Sequence, residues 1–206
     1  MSETIAVGSV EVLRDVLLAG EPFRLTSQSD VVIVPTAAAF TGATQSAIEL
    51  SLLFDESDAK VEALMNTDRT SSDEPYFATR IREADLVVLS DGSPLHAKSV
   101  WHASPIGEAI RDASCVVAIG SVASVLGDVM IDPRGGAPTT GLGYRSGLVL
   151  TVSVGDDQLH RTRTLLGDDA LLAVLGENGA VYGDGVSWRL LRDDVVVTRE
   201  HEVVTL

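Results

Sequence analysis

Along the chain, short unbroken apolar runs alternate with longer segments whose apolar residues recur every three or four positions, which is the pattern of strands buried between amphipathic helices. Residues 3–7 around Ile5 predict a first strand, and EVLRDVLLAG (11–20) predicts a helix stopped by Gly20. VVIVP (31–35) is a β-branched run, followed by the small-residue loop TAAAFTG and a helix from Ala43 to about Phe54. KVEALMN (60–66) predicts a third strand, then a polar loop and a helix with Asp73 as N-cap and Pro75 in its first turn. DLVVLS (85–90) and CVVAI (115–119) are the fourth and fifth strands, separated by helical pieces at 94–103 and 105–113.

Strand and helix alternating at this spacing imply right-handed crossovers and a mostly parallel, flavodoxin-like α/β sheet with helices on both faces. In such a sheet ligands lie at the carboxyl ends of the strands, so the loops after Val7, Val34, Leu89 and Ile119 are expected to converge on one crevice. Beyond the fifth strand, residues 132–147 read as a long ordered loop, LVLTVSV (148–154) as a strand and DDQLHRTRTLLGD (156–168) as a helix. The remainder, LLAVL, GAVYGD, VSWRLL and DVVVTRE, reads as a small antiparallel meander with turns at Gly185 and Asp193–Asp194. With no linker and no internal repeat, residues 1–206 form one domain.

The candidate chemistry centres on residues 115–136, where an apolar run meets a tight small-residue turn and then a helical pattern. A strand turning sharply into a helix at Gly-x-x-x-small is how several α/β hydrolases lift a nucleophile above the sheet edge. The middle position here is Val122, which has no lone pair, and the nearest hydroxyl is Ser121. Composition narrows the remaining choices. A net charge of −15 excludes a nucleic-acid partner, because phosphate binding needs clustered Lys and Arg. The absence of a long apolar run or a basic leader predicts no membrane contact and a cytoplasmic protein. The single cysteine, Cys115, lies in a strand pattern where burial is expected, and no His or Cys pair has metal-ligand spacing, so no cofactor or metal is expected.

VVIVPTAAAF, DLVVLSDGSPLHAKSVWHASPIGEAI, VVAIGSVASVLGDVMIDPRGG and GLGYRSGLVL, taken in order, resemble the cyanophycinase and dipeptidase E group of serine peptidases, in its type 1 glutamine amidotransferase-like branch. The resemblance covers about residues 3–185. It implies a flavodoxin-like sheet, a serine in a Gly-x-Ser-Ala-Gly turn, a histidine after a later strand, an acidic partner and an oxyanion hole from a Gly-Gly loop. Position by position, the turn reads Gly120-Ser121-Val122-Ala123-Ser124, with Val122 at the nucleophile and Ser124 in place of the second glycine. The Gly-Gly loop reads Asp91-Gly92, the histidine position falls near Ser153, and the acidic segment keeps Glu177 alone.

A Ser-His-acid relay fails without its nucleophile or base. The expected protein is therefore a noncatalytic relative with a vestigial site at Asp91, Gly92, Ser121, Val122, Ser153 and Glu177. Its expected partners are another protein chain, an active paralogue or a second copy of itself, or a small ligand in the crevice. The rival expectation is a hydrolase of peptide or amide bonds with Ser121 as nucleophile and His96 or His160 as base. The other polar groups read as structural. His96 starts a helix, and Trp101 and His102 close one; His160, Arg161 and Arg163 line a solvated helix face, and Asp68–Arg69 form a turn or surface pair. The loop 132–136 supports structure, and His201 carries no functional expectation.

Overall fold

Four adjacent parallel strands with few polar side chains form the centre of the protein, buried because helices cover both faces of the sheet, and a fifth, half-exposed strand lies at its edge. The structure, a computed structural model, describes residues 2–152, 154–200 and 202–206. The chain runs β1 (Glu3–Val7), α1 (Val10–Ala19), β2 (Asp30–Val34), α2 (Ala43–Ser51), β3 (Lys60–Ala63), α3 (Pro75–Glu83), β4 (Leu86–Leu89), α4 (Pro94–Trp101), α5 (Pro105–Asp112) and β5 (Cys115–Ile119). After a 3₁₀ segment, Gly120–Leu126, follow β6 (Val129–Ile131), β7 (Pro138–Thr140), β8 (Val149–Val152) and α6 (Asp156–Leu166). The chain ends with β9 (Leu172–Leu175), β10 (Ala180–Gly183), β11 (Trp188–Arg192), β12 (Val195–Arg199) and β13 (Glu202–Val203).

The main sheet has the order β11-β10-β1-β5-β4-β2-β3, with β1 to β5 parallel and β10 and β11 antiparallel. Period-two alternation divides the core into two layers. Val31, Ile33, Val88 and Val117 pack with Val12, Leu13, Leu50 and Phe54, so α1 and α2 cover that face. Val32, Val34, Val87 and Val116 pack with Ile81, Trp101, Ile106 and Ile110 from α3, α4 and α5 on the other. Helix ends follow their capping residues. Ser9, Ser93 and Ser104 accept from the N–H groups of Val12, His96 and Gly107, and Gly20 closes α1 in the left-handed conformation at φ 67°.

Four local expectations are corrected. The N-cap of α3 is Glu74, without a side-chain bond, while Asp73 belongs to the preceding 3₁₀ turn. The segment after β5 winds as a 3₁₀ helix rather than the start of an α-helix. Within the expected loop 132–147, Pro138–Thr140 pairs with β6 as a hairpin. The C-terminal β segments divide between two sheets: β10 and β11 extend the main sheet beside β1, while β9 pairs with β8 and β12 in a four-stranded sheet. An edge strand left open exposes a row of unpaired amides, and β10 covers that edge of β1.

Among the described residues Arg69 has no carboxylate partner. Its guanidinium donates to the carbonyls of Val100 (3.1 Å), His102 and Ala103 (2.8 Å), placing positive charge on the carboxyl end of α4. Asp68 instead accepts from the Ser71 N–H at 2.8 Å and fixes the turn.

At the amino end of the sheet, Arg80 joins α3 to two strands through Asp30 (3.0 Å) and Glu62 (2.7 Å), and bonds Glu83 within its own helix at 3.2 Å. A hydrogen bond from Tyr76, followed by those from Arg80, holds the Glu62 carboxyl below its ordinary value of 4.5. Such a group adds stability above its ordinary value and loses it as pH falls through the depressed one. Arg80→Met is expected to cost about 1–2 kcal/mol at pH 7. The gap to the natural chain should narrow below about pH 4. Urea unfolding at both pH values measures this, and an equal gap at both would refute the electrostatic origin.

Candidate functional site

At the carboxyl edge of the sheet the loops after β2, β4 and β5 meet, as parallel topology requires. Gly92, at φ 145°, lies so close to the loop after β2 that a Cβ would fall 2.2 Å from the Ala37 carbonyl oxygen. The Ser93 N–H donates to that same oxygen at 2.8 Å. Only glycine permits this approach, and it places Asp91 over the start of the 3₁₀ segment.

Asp91 Oδ1 then accepts three bonds: from the Gly92 N–H (2.7 Å), the Ser121 N–H (3.0 Å) and Ser121 Oγ (2.9 Å). Two backbone amides converging on one oxygen have the geometry of an anion site, and here the occupying anion belongs to the chain itself. The sequence placed this carboxylate where donors should meet a developing negative charge. In the fold the carboxylate is satisfied by those donors.

The turn after β5 differs from its sequence reading in one respect. The left-handed residue is Gly120, at φ 61°, while neither Ser121 nor Val122 has positive φ. A nucleophile elbow presents the side chain of its strained residue, so the crest of this turn is a residue with no side chain. A Cβ at Gly120 would fall 2.3 Å from Asp91 Cγ and 2.4–2.5 Å from its two oxygens. The volume of a side chain on the crest is occupied by the Asp91 carboxylate. Motif alignment set the crest at Val122, although a glycine directly after the strand was the available signal for positive φ.

Val122 is fully buried and points into the core with Ala123, Val125 and Leu126. Ser121 is half-buried, with Oγ 2.9 Å from Asp91 Oδ1 and 2.7 Å from the Gly92 carbonyl. One hydroxyl proton serves one of these acceptors at a time. Ser124 Oγ donates to the Ser121 carbonyl at 2.8 Å, so it stabilises the turn.

Of the other described site residues, none is hydrogen-bonded to Ser121 apart from Asp91 and Gly92. Glu177 is exposed in the turn between β9 and β10, which is tied to the end of β1 by the Gly8 N–H donating to the Gly179 carbonyl at 2.9 Å. Ser153 and His201 lie outside the described residues. His96 Nε2 is 2.8 Å from the Thr67 carbonyl, which requires a proton on that nitrogen, and its ring meets Phe40 edge-on at 4.6 Å. His102 is exposed as the C-cap of α4, and His160 is exposed on α6. None of His96, His102 and His160 is hydrogen-bonded to Ser121.

Trp101 is completely buried, and its Nε1 donates to Thr36 Oγ1 at 3.2 Å. Cys115 lies at the opposite, amino end of β5, where burial pushes its thiol up to about 12. In the 132–136 loop, hydrogen bonds from the Arg134 side chain and N–H push the Asp132 carboxyl down to about 2. The Gly136 carbonyl accepts from Thr162 of α6 at 2.7 Å, so this loop docks a helix.

A scan of family models and a search of curated proteins give no match. Solved structures do. The chain is similar over its whole length to a peptidase from an acI-B1 actinobacterium, with a TM-score of 0.73, 16% identity, and coverage of 100% of this chain and 97% of that one. It is also similar to a candidate peptidase E of Listeria monocytogenes EGD-e, with a TM-score of 0.66, 13% identity, and coverage of 97% and 98%. The fold is peptidase E-like. What the sequence resemblance implied about the scaffold therefore holds, and identity this low speaks for the scaffold alone. Among the described residues, no helix is long and apolar enough to cross a membrane.

If Asp91 fills the crest volume, Gly120→Ala is expected to cost about 2–3 kcal/mol through φ strain and the collision. In an Asp91→Gly background, that cost should fall by about 1 kcal/mol. A double-mutant cycle by urea unfolding tests the coupling, and additive costs would show that the carboxylate does not hold that space.

Proposed function

We propose that this chain is a noncatalytic member of the peptidase E-like proteins that acts by binding, as a subunit beside another protein chain. The observation carrying this reading is the Asp91 carboxylate, which engages both converging amides and fills the volume above Gly120. Removing one oxyanion donor from a working acyl-transfer site costs about 10²–10³ in rate. Here the donors already hold a full negative charge, so a substrate oxyanion would meet an anion in its place. Among the described residues, the hydrogen bonds of Ser121 Oγ run to Asp91 Oδ1 and the Gly92 carbonyl and not to an imidazole. An edge whose donors are satisfied internally is poorly suited to a small polar substrate, which favours a protein chain as the partner.

One observation favours a second reading. The Ser121 hydroxyl lies 2.9 Å from a carboxylate oxygen, an arrangement in which Asp91 could accept its proton during attack on a peptide or amide carbonyl. A fluorophosphonate probe separates the two. The noncatalytic reading expects no stoichiometric labelling of the full chain, and labelling that disappears in Ser121→Ala would establish the hydrolase instead. Val122→Ser is likewise expected to yield no peptidase turnover, because its side chain points into the core. Purification from the native host at native concentration should recover a second polypeptide, and recovery of this chain by itself would count against the subunit role.

A further inference from the structure

The dipeptide Asp-Gly occurs twice in the chain, at Asp91-Gly92 and at Asp184-Gly185. A glycine after an aspartate leaves the next peptide nitrogen open to the side-chain carboxyl, because no Cβ stands beside it. The fold holds the two carboxyls differently.

At Asp91 the side chain is folded back on the peptide that follows it. The Gly92 N–H donates to Oδ1 at 2.7 Å, which keeps that nitrogen beside the carboxyl carbon Cγ. Ser121 approaches the same oxygen from the turn after β5, with its N–H at 3.0 Å and Oγ at 2.9 Å. Asp91 is exposed, so water has access to it. At Asp184 the side chain reaches past the next residue instead. Its Oδ1 accepts from the N–H groups of Val186 and Ser187, each at 2.8 Å, and lies 3.4 Å from Ser187 Oγ. Each carboxyl therefore meets two amides and one serine hydroxyl, and the difference is whether one of those amides belongs to the adjoining glycine.

We propose that Asp91-Gly92 is a site of self-modification, at which the Gly92 nitrogen closes on Asp91 Cγ to give a cyclic imide that reopens in part to a β-linked aspartate. The N–Cγ bond forms and the Cγ–Oδ2 bond breaks, and the Gly92 amide proton and the carboxyl proton depart with Oδ2 as water. During attack the developing negative charge falls on Oδ1, which the Ser121 N–H and hydroxyl already face. An arrangement suited to acyl transfer is thereby presented to a carboxyl of the chain itself, and held proximity of this kind speeds ring closure. Water adding back at Cγ restores aspartate, whereas water adding at the former main-chain carbonyl carbon leaves the chain running through Cβ and Cγ. In that product Oδ1 is a neutral amide oxygen, so the anion facing the Ser121 N–H is gone. The inference is independent of the functional reading above, since it needs neither a substrate nor a partner.

Each cycle of closure and reopening takes one oxygen atom from solvent, so incubating the folded full chain in heavy-oxygen water marks the residues that cycle. At about pH 5 enough carboxyl is protonated for Oδ2 to leave as water. Peptide mapping by mass spectrometry is expected to show uptake at Asp91 roughly tenfold or more faster than at Asp184, with a β-linked form of the Asp91 peptide resolved by chromatography. In urea, where neither geometry persists, the two sites should take up label alike. Asp91→Glu, which would have to close a larger ring, should take up none over the same period. Uptake at Asp91 no faster than at Asp184 in the folded chain, or the same difference between them in urea, would overturn the assignment. So would faster uptake at Asp91 in urea than in the folded chain, because the fold would then be protecting this bond.

Discussion

The Asp91 Oδ1 atom, with the three donors that converge on it, holds the carboxyl edge of the sheet in its observed form. Hydrogen bonds to a charged acceptor contribute about 1.5–3 kcal/mol each, more than neutral ones. Through them the loop after β4 grips the turn after β5, and Gly92 carries the same loop onto the one after β2. Two glycines make the arrangement possible: Gly92 by close backbone approach, and Gly120 by its left-handed φ and the absence of a side chain. Charge, backbone conformation and chain crossing therefore depend on one another here, and a change in any one of them disturbs the others.

The two ends of the sheet solve the problem of isolated charge differently. At the carboxyl edge an anion is satisfied by backbone amides. At the amino edge the charges to be satisfied are cations. Arg80 meets three carboxylates, whereas Arg145 meets a hydroxyl and two carbonyls. The first is a saturated brace between α3 and two strands. The second holds a buried cation on neutral acceptors, with Nη2 left without a partner among the described residues.

Between these ends lies a scaffold whose fold is shared over nearly the full length with the two solved structures named above. A fold specifies where a site can be assembled, and the side chains there determine the chemistry. At the carboxyl edge of this chain stand a buried Val122, Gly120 at positive φ and the Asp91 carboxylate, while His96 bonds the Thr67 carbonyl.

The sequence by itself determined the layered α/β architecture, because period-two apolar runs and period-3.6 stripes can be buried in few other ways. It also identified Asp91, Gly92, Ser121 and Val122 as the positions to watch, and placed Cys115 in the core. Tertiary structure alone decided the destination of the C-terminal strands, since β10 and β12 are similar apolar runs and yet one pairs with distant β1 while the other pairs with β9. It also decided that Gly120 takes the left-handed conformation and that Arg145 is buried on Thr4 and two carbonyls, in a segment where nothing local marks that arginine. Periodicity reports which face of an element is buried, whereas the partner of a lone charge depends on which distant loops the crossovers bring beside it.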